Sequence, residues 1–293
     1  MDCLALRPLR WLAQLTARLP QRALLVLSAL LLPLAWPWLA RRRRIAAANF
    51  ALCFPELDTG ARRRLLRRNM RATLMGALEL LRGWYAPSHA LRGLAEVEGA
   101  AELSRALAQG TGVLLLTSHF THNEPAIRLL AEAVGVRARP VIRRNNSACL
   151  ESEFEQARRR HYLPSLDKKD VRGLLRCLLA GEMVAYAGDQ DFSYRSEFVP
   201  FFGVPAATLV GTPELAARGK ARVFVMWCRR EPDGRYRLRV EPAWAGWKQA
   251  SPAEASAMYM RALEAEVRVA PEQYLWVHRR FKTRPPGEPS PYR

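Results

Sequence analysis

His119 and Glu124 are the two side chains of this 293-residue sequence whose types and spacing point most directly to chemistry. An imidazole with a pKa near ~6.5 accepts a proton at neutral pH. A carboxylate bonded to its other ring nitrogen would fix the tautomer and favour the imidazolium formed during reaction. No G-x-S-x-G elbow occurs in the chain, which argues against serine hydrolase chemistry. Ser118, next to His119 on an extended chain, is expected to point to the opposite face. With no protein nucleophile evident, direct attack by a substrate hydroxyl, deprotonated by His119, is the expected mechanism. Two other readings of the stretch stay open. Thr121-x-x-Glu124 also has the form of a capping box, so Glu124 could serve only the helix start. His119, His122 and Glu124 offer metal-ligand types, but no further ligand has suitable spacing, so no metal is expected.

The elements that must hold this pair follow from the pattern around it. Residues 113–116 form a short apolar run bounded by Gly112 and by the polar residues 117–119, the mark of a buried strand. A helical pattern starts near Asn123 and continues through Ile127, Leu130 and Val134. His119 is therefore expected just past the carboxyl end of a strand, where open α/β sheets bind their ligands. Two more apolar runs end in polar residues in the same way: 138–142 before Arg143, Arg144 and Asn145, and 183–187 before Gly188, Asp189, Gln190 and Asp191. Helical patterns lie at about 150–161 and 170–180, the second with Asp170 as N-cap and Gly181 as stop. This alternation predicts an α/β fold with a mainly parallel central sheet flanked by helices. Residues 222–228 and 236–240 flank Pro232-Asp233-Gly234 and predict an antiparallel hairpin at the sheet edge. A last helix is expected from residue 253 to 269.

Charge is unevenly distributed. The formal net charge is +19, and residues 1–95 carry 16 basic but only 4 acidic side chains. That asymmetry points to an anionic membrane surface or a nucleic acid. Residues 23–40 contain no charge and would reach about 27 Å as a helix, the lower limit for a span. Pro33 and Pro37 would kink the second half, while Trp36 and Trp38 suit a membrane interface, and Arg41–Arg44 would hold that end on the cytoplasmic side. The rival reading is an apolar helix packed on the protein's own surface. A basic amphipathic helix is expected over residues 61–84, with Arg62, Arg63, Arg64, Arg67, Arg68 and Arg71 near its start. The expected division is thus an N-terminal membrane-anchoring segment, 1–44, and one large domain, 45–293. The competing nucleic-acid reading lacks a helix-turn-helix, zinc-finger or RNP-like motif. The five cysteines (Cys3, Cys53, Cys149, Cys177 and Cys228) are scattered, which favours a reducing, cytoplasmic setting without disulfides.

An ordered set of motifs resembles the late (lauroyl/myristoyl) acyltransferases of lipid A biosynthesis, within the lysophospholipid and glycerolipid acyltransferase superfamily. It comprises Arg44-Ile-Ala-Ala-Ala-Asn49, Cys53-Phe-Pro-Glu-Leu57, His-x4-Glu at 119–124, Asp167-Lys-Lys-Asp170, Ala187-Gly-Asp-Gln-Asp-Phe192, residues 198–208 and the closing stretch 270–285. Coverage runs from residue 40 to the end. The resemblance implies a glycerolipid acyltransferase-like fold and an inner-membrane enzyme at the cytoplasmic face. Such an enzyme moves a fatty acyl chain from acyl carrier protein to a 3-hydroxyacyl hydroxyl of a lipid A precursor, with no cofactor. It implies that His119, Glu124, Arg158 and Asp189 are catalytic, with Arg158 on lipid phosphate or transition-state charge and Asp189 positioning the acceptor or a base. Arg143, Gln190 and Asp191 are expected to bind substrate, and Phe198, Pro200 and Phe201 to wall the acyl chain. Gly188 stands where the family commonly has Pro, and Ser193-Tyr194 where Gly usually follows. A different glycolipid or an aminolipid acceptor fits the same scaffold.

Overall fold

The computed structural model describes residues 6–292. Ten α-helices and nine strands make up its main elements. They are α1 Arg7–Arg18, α2 Gln21–Ala35, α3 Ala40–Cys53, α4 Thr59–Tyr85, β1 Ala95–Glu98, α5 Ala100–Ala108, β2 Val113–Thr117, α6 Asn123–Ala133, β3 Arg139–Ile142 and α7 Ala148–Arg158. After these come β4 Leu166–Asp167, α8 Val171–Leu179, β5 Met183–Ala187, β6 Ser196–Phe201, β7 Val204–Leu209, α9 Thr212–Arg218, β8 Arg222–Arg230, β9 Tyr236–Pro242 and α10 Pro252–Val269.

Seven strands form one sheet in the order β1-β9-β8-β2-β5-β3-β4. All neighbours are parallel except β8 and β9. The mainly parallel sheet flanked by helices is therefore present. β2 lies at its centre and every one of its residues is buried, as its unbroken apolar run requires. The hairpin β8–β9 forms across the Pro-Asp-Gly turn, but not at the edge. β1, too short and too polar to stand out in the sequence, pairs with β9 and covers it. A second hairpin, β6–β7, stands apart from the sheet. Its turn holds Phe202 and Gly203 in left-handed conformations.

The N-terminal third differs from expectation. Residues 23–40 are not one helix: α2 ends at Ala35, the chain turns through Trp36–Leu39, and α3 leaves at 104°. No single helix is long and apolar enough to cross a membrane; only the bent pair α2 and α3 has the length and composition together. Residue 44 falls inside α3, so no helix boundary marks the division expected there. Helix α4 is a central support rather than a surface strip. It packs against α1, α2, α3, α6 and α7, and it buries Asn69, Glu79 and Arg82 along with Met70, Met75 and Trp84. Its arginines at 63, 64, 67, 68 and 71 stay exposed. Inside the protein, Arg230 donates from Nε and Nη2 to the Glu79 carboxylate at 2.7 Å each, and the Tyr236 hydroxyl donates at 2.7 Å. Such fully bonded polar clusters keep a buried charge tolerable and tie distant elements together.

Cys53, Cys177 and Cys228 are free thiols, whereas Cys149 is disulfide-bonded. That corrects the expectation of thiols throughout; Cys3 lies outside the described residues.

Candidate active site

β2 and β5 are parallel neighbours in register, with Thr117 opposite Ala187. Two residues past each of these lie His119 and Asp189, so the sheet itself brings them together. Asp189 is fully buried and takes hydrogen bonds on both oxygens. His119 Nδ1 lies 2.6 Å from Oδ1, the His119 backbone N–H donates to Oδ2 at 2.9 Å, and the Tyr274 hydroxyl donates to Oδ2 at 2.9 Å. Burial alone would raise the Asp189 pKa. The charge of His119 and these hydrogen bonds outweigh it and hold the carboxyl below its ordinary value. The imidazole is 29% exposed. With Nδ1 engaged, Nε2 is the nitrogen left to face a substrate.

The loop carrying His119 is fastened from the far end of the chain. The backbone of Leu275 donates to the His119 carbonyl at 2.9 Å, Thr121 donates to the Gln273 carbonyl at 2.8 Å, and Phe120 bridges Tyr274. Two buried asparagines hold this C-terminal segment in turn. Asn69 on α4 donates to the carbonyls of Glu272 and Tyr274, both at 2.8 Å, and Asn49 on α3 to those of Trp276 and His278 at 2.7 and 2.9 Å. Beneath the loop, α4 approaches so closely that a Cβ on Gly76 would lie 2.2 Å from the Thr121 carbonyl oxygen. Only glycine fits there. Ser118 turns away from His119, its hydroxyl 2.9 Å from that of Tyr259, which also donates to the Thr117 carbonyl at 2.7 Å. His278 lies close enough to His119 to feel its charge. Burial first, and that charge second, lower its pKa to about 4, so it is neutral and its Nε2 accepts from the Asp191 backbone at 3.3 Å.

Glu124 does not orient His119. Its Oε1 accepts from Trp84 Nε1 at 2.6 Å and from Arg158 Nε at 2.7 Å, and the Arg158 guanidinium lies 4.8 Å over the Trp84 ring. Nor does it close a capping box: the helix starts from His122 with no side-chain cap. The place expected for Glu124 belongs to Asp189, because strand register decides it and sequence spacing does not. Glu124 and Arg158 form a separate ion pair beside α4, in which Arg158 Nη1 is buried without a partner.

The remaining candidates divide. Arg143 is exposed on the loop after β3, and no hydrogen bond or ion pair links it to His119. Asp191 is taken up structurally, accepting from the Thr283 backbone and hydroxyl at 2.9 and 3.0 Å. Gln190 offers its carbonyl to Arg280 at 3.4 Å. Phe201 is fully buried in an aromatic cluster with Phe202, Tyr274, Trp276 and Phe281, so it is core and not wall. Phe198 and Pro200, on the alternate face of β6, are exposed and remain able to meet a chain. His122 is fully buried; burial and then the Arg230 charge push its pKa well below the ordinary value. Tyr274, Tyr259, Trp84 and Gly76 carried no signal of their own. Tyr274 lay in a motif whose purpose the sequence did not reveal.

An imidazole at a strand end, held by a buried carboxylate and open at its second nitrogen, is an arrangement able to take a proton from a hydroxyl or water, as α/β transferases and hydrolases require. Comparison with known proteins narrows this. Residues 10–283 match the family model described as bacterial lipid A biosynthesis acyltransferase, and the chain belongs to that family. It is 36% identical over 287 residues to the lipid A biosynthesis lauroyltransferase of Escherichia coli (strain K12), covering 95% of this chain and 91% of that one. Identity to the palmitoleoyltransferase of the same organism is 34% over 281 residues, with the same coverage. The myristoyltransferase of that organism is 26% identical over 265 residues, 86% of this chain and 78% of the relative. The protein is an acyltransferase of lipid A biosynthesis.

Proposed function

We propose that the protein moves a fatty acyl chain from acyl carrier protein to the hydroxyl of a 3-hydroxyacyl chain on a lipid A precursor, with His119 as general base. The observation that carries this reading is the buried Asp189 carboxylate on His119 Nδ1, which leaves Nε2 to take a proton. In the proposed reaction, Nε2 accepts the proton of the acceptor hydroxyl as its oxygen attacks the thioester carbonyl. Asp189 stabilises the imidazolium that forms. Collapse of the tetrahedral intermediate breaks the carbon–sulfur bond, and the departing carrier thiolate takes the proton back from Nε2. An ester and a free thiol result. Arg158, pinned by Glu124 with one buried donor unfilled, supports a part in steadying negative charge at the margin of the site. No cofactor is required by this scheme.

We place the reaction at the cytoplasmic face of the inner membrane. Val26, Leu30 and Leu34 recur every four residues along an exposed face of α2, Trp38 is 83% exposed at the turn that follows, and Arg41, Arg42 and Arg44 come next. An apolar helix face beside a basic cluster suits an anionic bilayer surface.

The test is turnover with purified protein, acyl-loaded carrier protein and a lipid A precursor, followed by mass spectrometry of the lipid. One added acyl chain is expected. His119→Ala is expected to lower the rate by at least ~10³-fold with the circular dichroism spectrum unchanged. Undiminished transfer by that variant would remove His119 as the base.

A further inference from the structure

A concavity lies where α3 meets the C-terminal segment. A pocket of about 230 Å³ is lined by Arg41, Arg44, Ile45, Arg279, Pro291 and Tyr292. Three guanidinium groups therefore face one concavity. Several other arginines are matched with carboxylates: Arg139 with Glu182, Arg222 with Glu102, Arg230 with Glu79, Arg239 with Glu266. Arg41, Arg44 and Arg279 form no ion pair among the described residues. Three like charges gathered without a counter-charge repel one another, and an anion relieves that cost.

The walls are fixed, not loose. Arg41 and Arg44 stand three residues apart on α3 and so share a face. The first turn of that helix holds no acidic residue, and Leu39 offers no side-chain cap. Arg42 donates to the Val277 carbonyl at 3.3 Å, and Asn49 to those of Trp276 and His278, which sets Arg279 at a constant distance from α3. Tyr292, whose ring lies 5.8 Å from the Arg279 guanidinium, donates its hydroxyl to Asn49 Oδ1 at 2.5 Å and accepts from the Phe281 backbone at 2.9 Å. Arg279 directly follows His278, which feels the charge of His119.

We propose that Arg41, Arg44 and Arg279 form a seat for a phosphomonoester on the headgroup of the acceptor glycolipid. Guanidinium forks match phosphate oxygens in charge and geometry. Phosphate held there would fix the sugar headgroup near the membrane surface and leave the acyl hydroxyl to reach His119. The inference rests on the acyltransfer reading above and adds the group by which the acceptor is recognised.

The experiment measures steady-state kinetics in neutral detergent micelles, where no anionic bilayer contributes. Arg44→Gln and Arg279→Gln are compared with the parent on a phosphorylated acceptor and on the same acceptor after phosphatase treatment. Each variant is expected to raise KM for the phosphorylated acceptor by about tenfold or more, with kcat changed far less, and Arg44→Lys to recover part of the loss. On the dephosphorylated acceptor the gap between variant and parent is expected to close. An unchanged KM on the phosphorylated acceptor would overturn the proposal, as would an equal loss on both acceptors. Sedimentation with phosphatidylglycerol vesicles separates the other source of phosphate: a defect in vesicle binding with normal micellar KM would make the pocket a general lipid contact and overturn the acceptor assignment. Parent protein inactive on every acceptor would instead count against the acyltransfer reading.

Discussion

Tyr274 gives Asp189 a donor that His119 does not supply. Its removal takes away one of the hydrogen bonds that hold the Asp189 carboxyl below its ordinary value, so the pH at which that carboxylate protonates is expected to rise. For Tyr274→Phe, we therefore expect the acid limb of the kcat/KM profile to move upward, with the plateau lowered roughly tenfold. A merely structural role would lower the plateau and leave the limb in place. Glu124→Gln is expected to do the second: its amide oxygen still accepts from Trp84 but loses the charge that holds Arg158. A shifted limb in Glu124→Gln with none in Tyr274→Phe would reverse the two assignments. At this scale the sequence was informative about types and misleading about pairing. His119 and Asp189 both stood out as polar residues closing apolar runs. That they touch depends on Thr117 lying opposite Ala187, a relation between segments seventy residues apart that no local spacing encodes.

Among the elements, α4 does most to shape the site without contributing a reacting group. Gly76→Ala would drive a methyl into the Thr121 carbonyl, and backbone on both sides leaves little room to yield. We expect a loss of about 1–3 kcal/mol in stability and a larger proportional loss of turnover, because the displaced residues flank His119. Urea denaturation and kinetics on one preparation would check this; full activity would show that the loop tolerates displacement. The basic face and apolar spacing of α4 were plain in the sequence. Its place at the centre of the helical layer was not, since Asn69, Glu79 and Arg82 read as surface residues until their buried partners are known. Runs with strong periodicity, such as α8 with its Asp170 cap accepting from Gly173 at 2.8 Å, needed no such knowledge. The four-residue β1 and two-residue β4 left no pattern to read.

For the whole molecule, the exposed face of α2 and the Trp38 turn define the side that meets the bilayer in our reading. Leu30 and Leu34 are each 66% exposed, so charges there disturb no core. Leu30→Asp combined with Leu34→Asp is expected to cut binding to phosphatidylglycerol vesicles by about 100-fold, since burying a leucine side chain contributes roughly 1.5–3 kcal/mol. Retention of binding in a flotation assay would exclude this face as the contact. The apolar character of residues 23–40 was legible at once. The break at Trp36–Leu39 was hinted at by Pro33 and Pro37, but its 104° angle follows from α2 and α3 each packing on α4, a tertiary demand.

The fastening of His119 by residues 273–275 also sets an order in time. Translation runs from the N-terminus, so β2 and its loop leave the ribosome long before Tyr274 and Leu275 exist. Until they arrive, the His119 carbonyl lacks its backbone donor and Asp189 lacks its phenol. A growing chain therefore carries His119, Asp189 and helices α1 to α4 while still unable to hold the imidazole and its carboxylate in place. In the proposed scheme the site is therefore completed late in synthesis, after the exposed apolar face of α2 has already emerged.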